Sequence, residues 1–284
     1  MTLTPGLSDD ALVAWRTAAE NGEWPSPWRE DRWQPLRAGV VNLWEFEVAE
    51  YWYAAGWVQL TGRNETGKSS LMALTTLIPW LGDTSTANID TLGDQGKKFR
   101  YYVEPTSNDG DRRDASASTN RGWLWVEYGR LVGGEPHFFT VGLFADARRA
   151  SASLPLTWVT AEGEPRVRRG LDLVANGTVT TAAELGAIAG VTVHGSGRDY
   201  RVRVADRLLG STADRLEAAG KLLRVTRTPK LGERLNLHFV SAKMREALPE
   251  LERAEVEALA SGWDQLDKIH GEVESAKGAA AAVR

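Results

Sequence analysis

Apolar positions recur along this chain with two periods, and the switches between them mark its elements. From residue 8 to 20 the spacing is helical, with Ser8 at the N-cap, Asp9 and Asp10 in the first turn, and Leu12, Trp15 and Ala19 on one face. A stretch rich in Pro and Trp follows. Trp15, Trp24, Trp28 and Trp33 account for four of the chain's 12 tryptophans, and the favoured reading is a hydrophobic flap over the main domain rather than a stacking platform. Residues 36 to 47 and 51 to 61 are two largely apolar runs separated by a short polar segment, which predicts neighbouring antiparallel strands. Glycine-bearing residues 62 to 69 come next, and then Leu71, Leu74, Leu77 and Ile78 at helical spacing, with Pro79 as the expected stop.

Residues 83 to 121 are polar and rich in Asp, Ser, Thr and Gly, broken by Phe99, Tyr101 and Tyr102, so a long surface excursion with a small anchored centre is expected. Strands resume at 122 to 128, 136 to 144 and 154 to 159, with Gly133-Gly134 turning the first pair. After Thr180, read as an N-cap, the pattern becomes mainly helical, over 181 to 189, 200 to 209, 212 to 225 and 233 to about 278. In the last of these Val256, Leu259, Trp263, Leu266 and Val273 begin a heptad seam, which Gly262, Gly271 and Gly278 weaken. A helix packed on its own domain fits the same periodicity. The closing alanine run carries no helix stop, which leads to the expectation that the helix continues beyond Arg284.

Composition narrows the class. The 284 residues allow one large domain or two small ones, and 42% hydrophobic with 25% charged residues is ordinary for a globular chain. With no cysteine, disulfides, thiolate zinc sites and cysteine nucleophiles are excluded. No apolar run is long enough to cross a membrane and the polar, acidic start does not resemble a signal peptide, so a cytoplasmic location without membrane association is expected. A net charge of −4 gives no global argument for nucleic acid. Locally, residues 195 to 235 carry ten Arg/Lys against five Asp/Glu, an excess of +5. Such a patch could follow DNA phosphates without reading bases, with Arg224, Arg227 and Lys230 as the candidates, although a solvated helical face paired to its own acids is the favoured reading.

The most specific pattern is Gly62-Arg63-Asn64-Glu65-Thr66-Gly67-Lys68-Ser69, which satisfies G-x-x-x-x-G-K-[ST] at every fixed position. Each residue type has a physical reason. Gly62 and Gly67 permit positive φ and close approach of the backbone to phosphates, and the N–H groups from Glu65 to Ser70 can converge on an anion at a helix N-terminus. Lys68 reaches the β- and γ-phosphates of ATP, and the Ser69 hydroxyl ligates Mg²⁺. Hydrolysis also needs a metal-binding acid and a water-orienting group at the end of a second apolar strand. Four apolar residues followed by Asp occur nowhere; Leu143-Phe144-Ala145-Asp146 falls one short, and Glu127 lies inside an alternating strand. The site reads as half of one.

The loop resembles the asparagine-containing Walker A of SMC and RecF-like ABC ATPases, with Glu65 where many relatives have glycine. Four further segments resemble the N-terminal head segment of the MukB-like SMC ATPases of Wadjet anti-plasmid systems: Arg32-Trp33-Gln34-Pro35-Leu36-Arg37-Ala38-Gly39, Leu77-Ile78-Pro79-Trp80-Leu81, Arg121-Gly122-Trp123-Leu124-Trp125-Val126-Glu127-Tyr128-Gly129-Arg130, and Arg227-Thr228-Pro229-Lys230-Leu231. The resemblance implies an α/β P-loop head, N-terminal lobe only, with a mixed sheet, flanking helices and the start of an antiparallel coiled coil. Its divisions would be a Trp-rich extension (1–33), the lobe (34–250) and the root of a coiled-coil arm (251–284).

The resemblance also implies ATP sandwiched between two heads of an SMC-like homodimer, with the signature segment, Walker B and catalytic glutamate supplied by a C-terminal lobe. Kleisin and winged-helix subunits and a toprim-type nuclease are the implied partners, and loop extrusion of double-stranded DNA the implied task. Among lesser candidates, Arg166-Val167-Arg168-Arg169 reads as a solvated strand edge, Gln95 as part of the polar excursion rather than a metal-proximal glutamine, and Trp44 as a core aromatic rather than an adenine stacker. His137, His194, His238 and His270 lack metal-ligand spacing. A self-contained P-loop or kinase-like enzyme acting on a small molecule is the alternative, as is a folded fragment that does not hydrolyse.

Overall fold

The computed structural model describes residues 24–44, 46–53, 58–63, 66–89, 98–104, 119–148 and 151–227, together with 261, 263, 265, 268–270 and 273 on a helix. Its centre is a six-stranded sheet built from β1 (Gln34–Leu43), β2 (Phe46–Trp52), β3 (Thr119–Val132), β4 (Glu135–Arg148), β5 (Leu156–Glu162) and β10 (Val191–His194). The order is β10-β5-β4-β3-β1-β2, and all five pairings are antiparallel. The chain is therefore of mixed α and β content, but the expected mixed sheet is corrected to an antiparallel one. β1 is apolar almost throughout because β2 and β3 flank it and both of its faces are covered.

Each face has its own core. On one side Ala38, Val40, Leu124, Val126, Val141 and Leu143 pack under α1 (Lys68–Leu81) and α5 (Gly197–Leu209), with Leu216 of α6 (Ala213–Thr226). On the other, Val41, Trp123, Trp125, Phe144 and Val159 meet Val167, Leu171, Leu173 and Leu185. These last come from a small cap of two-stranded pieces, β6 (Arg166–Val167) with β7 (Gly170–Leu171) and β8 (Val174–Ala175) with β9 (Thr178–Val179), followed by α4 (Ala182–Leu185). α2 (Thr86–Ile89) and α3 (Phe99–Val103) lie within the polar excursion. Phe99, Tyr102 and Val103 are buried, so the excursion does have an anchored centre.

The structure corrects several boundaries. The run 36 to 47 is not one strand: the chain reverses between Leu43 and Phe46, with Asn42 at φ 48° and Trp44 at φ 52°. A tight hairpin needs left-handed backbone there, and Trp44 lacks the Asn-Gly signature that reveals such turns. β2 consequently ends at Trp52, and residues 58–61, read as the end of a strand entering the glycine loop, form no strand. Pro79 lies inside α1, close enough to its end that the helix runs on to Leu81 and stops at Gly82, whose N–H donates to Ile78 O. Thr181, not Thr180, caps α4, in a reciprocal box with Glu184. That helix is one turn long, because 191–194 leaves it to become β10 on the sheet edge. The heptad segment falls almost entirely outside the described residues; within it Trp263 is 72% exposed.

Residues 24–33 cover the end of the sheet. Leu131 N–H donates to Arg29 O, Trp28 N–H donates to Gln34 Oε1, and Trp33 lies against Phe139. The covering-flap reading of the Trp-rich stretch holds for this part, while residues 1–23 lie outside the described residues. No helix among the described residues is long and apolar enough to cross a membrane.

Candidate functional site

The glycine-lysine loop sits at the hairpin end of β1 and β2. Gly62 has φ 153° and Gly67 φ 80°, both in the region that disfavours side chains. A Cβ on Gly67 would also approach Phe46 Cζ to 2.7 Å and run into the Trp44 ring, so only glycine fits where the loop enters α1. Gly67 is the N-cap of α1 and offers no side-chain acceptor; the first turn contains no acid. The leading N–H groups are thus left to an external acceptor at the positive end of a 14-residue helix dipole.

Lys68 is folded back over the loop. Its ammonium donates to Gly62 O at 2.9 Å, to Arg63 O and to Thr66 Oγ1 at 3.3 Å, while Thr66 Oγ1 donates to Arg63 O at 2.9 Å. These acceptors are neutral, so an anion at the loop competes with them on favourable terms. Ser69 is exposed and Ser70 half-buried at the first turn. Asn64 and Glu65, and also Gln95, lie outside the described residues. The donor set suits a nucleotide phosphate: uncapped helix N–H groups, a lysine ammonium bonded only to neutral oxygens, and two glycines. For Mg²⁺ this chain offers Ser69 Oγ, and no cluster of three His, Asp or Glu among the described residues could hold a metal by itself.

Trp44 is the neighbour that the sequence undervalued. Its N–H donates to Tyr102 O, its ring packs edge-on to Phe46 (5.6 Å, 69°), and it backs Gly67. It joins the hairpin, α3 and the loop, which makes it a wall of the site.

A second charged constellation lies on the opposite face of the sheet. Glu127, fully buried, receives two bidentate guanidinium pairs: Arg37 Nε and Nη2 at 3.0 and 2.7 Å, and Arg166 Nε and Nη2 at 3.0 and 2.6 Å. Arg37 also donates to Glu50 Oε1 and Val167 O, each at 3.1 Å, and stacks on Trp24, with its carbon 4.1 Å from the ring centre. Burial opposes ionisation of Glu127, but the two guanidiniums overcome it and hold its carboxyl below the usual range. Glu50 goes the other way: burial outweighs Arg37, and its carboxyl is raised. The solvated-edge reading of residues 166 to 169 is therefore wrong for Arg166, which is 5% exposed. Long-range strand pairing assembles this group from positions 37, 50, 127 and 166, which no local spacing signals.

The basic segment is partly spoken for. Arg224 Nε donates to Asn88 Oδ1 at 2.7 Å and Arg227 Nη1 to Asn88 O at 2.9 Å, while Asn88 Nδ2 donates to Asp83. Both arginines are half-buried, and Lys230 lies outside the described residues. Of the histidines, His137 and His270 are exposed, and His194 Nε2 lies 2.9 Å from Thr160 Oγ1 with burial lowering its pKa; His238 is outside the described residues. No protein-family model matches the chain, and no curated protein matches it.

Proposed function

We propose that the chain is the ATP-binding N-terminal lobe of an SMC-like, DNA-organising P-loop ATPase. One observation carries the reading: a G-x-x-x-x-G-K-S segment whose lysine begins a buried-faced helix with an uncapped N-terminus, with its ammonium parked on neutral carbonyls. In this reading the N–H groups at the start of α1 bind the β-phosphate, Lys68 exchanges its loop carbonyls for the β- and γ-phosphates, and Ser69 Oγ holds Mg²⁺. Mg²⁺ when bound neutralises charge on the phosphates. Trp44 and Phe46 keep Gly67 in its left-handed conformation and so fix where the donors point.

The acidic half of the site is then supplied by a C-terminal lobe, with a second head closing over the nucleotide and double-stranded DNA as the substrate of the assembly. Kleisin and winged-helix subunits and a toprim-type nuclease complete the anti-plasmid machine to which the four sequence segments point. The test measures ATP binding and turnover by this chain alone and after adding such a lobe. Binding alone with turnover only in the mixture supports the proposal. Steady turnover by the isolated chain, abolished by Lys68→Ala, overturns the half-site and favours a self-contained enzyme.

A further inference from the structure

A second arginine cluster lies on the helix-bearing face, at the end of the sheet remote from the lysine loop. Arg130 on β3 and Arg207 on α5 both approach the ring of Trp33, with guanidinium carbons 5.7 and 5.1 Å from its centre. Trp33 in turn lies 6.1 Å from Phe139 of β4. Arg203, one helical turn before Arg207, pairs with Glu162 of β5. Strand register sets the separation from the loop: Arg130 follows the Gln34–Gly129 pairing, whereas the loop adjoins the hairpin beyond the Val41–Trp123 pairing. Seven residue steps along β3 separate Trp123 from Arg130, about 23 Å at roughly 3.3 Å per residue.

The charges here do not balance. Glu162 is shared: Arg203 bonds one oxygen, and Arg207 Nε stands 3.5 Å from the other without a hydrogen bond. Asp206 reaches Arg203 only, at 3.5 Å. Arg130 has no carboxylate partner among the described residues, and its Nε is buried without a hydrogen bond. Two guanidiniums thus share Trp33 and two share Glu162, with Arg207 common to both, and the Nε groups of Arg130 and Arg207 are buried without an acceptor. The cluster is reachable, since the side chains of Arg203 and Arg207 are 42% and 36% exposed. The guanidiniums of Arg130 and Arg207 both lie within cation–π range of the Trp33 ring.

We infer that Arg130 and Arg207, held at Trp33, and Arg203, which shares Glu162 with Arg207, form a phosphate-binding site separate from the lysine loop. Its ligand is a phosphate oxyanion, either a backbone phosphate of duplex DNA or free phosphate. The inference does not depend on the reading of the loop, and its test is run in a Lys68→Ala background so that the loop does not contribute. Binding of a short DNA duplex and of inorganic pyrophosphate is measured across a salt series for that background and for added Arg130→Gln plus Arg207→Gln. The expected result is loss of pyrophosphate binding, or a fall of about two in the DNA salt slope, roughly one per phosphate contact removed. Loss in both arms means that the site accepts either source, and loss in one identifies it. Arg130→Lys with Arg207→Lys, which keeps the charge but not the planar fork, should restore the DNA salt slope while leaving pyrophosphate binding weakened. Unchanged binding in both arms, with the unfolding midpoint preserved, overturns the site, as does absence of binding by the background protein.

Discussion

The two faces of the sheet treat charge in opposite ways. Beneath the cap, Arg37, Arg166, Glu127 and Glu50 are buried together and nearly every donor is used internally. At the lysine loop, Lys68 rests on neutral carbonyls and the helix N-terminus has no cap. Charge consumed within the fold specifies architecture, whereas charge held on exchangeable partners is available for binding. That contrast separates a structural ion cluster from a site better than the number of charged residues in either place.

The sharpest way to break the comparison is Glu127→Ala, which leaves two guanidiniums buried without their acid. It should cost about 3–5 kcal/mol of unfolding free energy, read by denaturant titration, and nucleotide binding would fail only through unfolding. A cost below about 1 kcal/mol would show that the cluster is not structural. Next in size is Gly67→Ala, which combines a strained φ with contact against Trp44 and Phe46. It should destabilise by roughly 1–3 kcal/mol and weaken nucleotide binding at the same time, as measured by thermal shift with and without Mg-ATP. Lys68→Ala should give the reverse signature: nucleotide binding is lost, while stability stays within about 0.5 kcal/mol, because the lysine's loop contacts are replaceable by water.

Acid titration sharpens the contrast further. The carboxyl of Glu127 is depressed in the folded state, so its stabilisation is complete above the ordinary carboxylate range and fades as pH falls through the depressed value. Glu50 is raised and has the opposite sign, its contribution being present at low pH and lost as pH rises through the raised value. Glu50→Gln should therefore make stability less sensitive to rising pH above the ordinary carboxylate range, and an unchanged stability–pH curve would remove Glu50 from the cluster's energetics. The smallest effect is expected at Thr181→Ala, which removes one capping box that contacts neither the Glu127 ion cluster nor the lysine loop and should cost about 1 kcal/mol with nucleotide binding unaffected.

What the sequence displayed was local. The lysine loop and its helix, the β3–β4 hairpin turned by Gly133-Gly134 and the anchored aromatics of the polar excursion follow from spacing and turn chemistry. The reversal at Trp44 was hidden because an aromatic occupies a left-handed turn position, held there by packing on Phe46 and Gly67. The Glu127 cluster and the Asn88 contacts of Arg224 and Arg227 were hidden because partners 13 to 139 residues apart meet only after the sheet and helices assemble. Of the run 51 to 61 expected as the strand before the loop, 51–52 belong to β2, whereas 58–61 have no pairing partner among the described strands.

Helix α1 is also a strut. One end carries the lysine; at the other, the hydroxyl of Tyr200 donates to Pro79 O, and Gly220 of α6 lies so close that a methyl group there would meet Leu81 at 2.6 Å. Thirteen steps of about 1.5 Å make a rod of about 20 Å with no slack at the far end. The helix that begins at the lysine is thus tied at its far end, through Pro79 and Leu81, to both arginine-bearing helices.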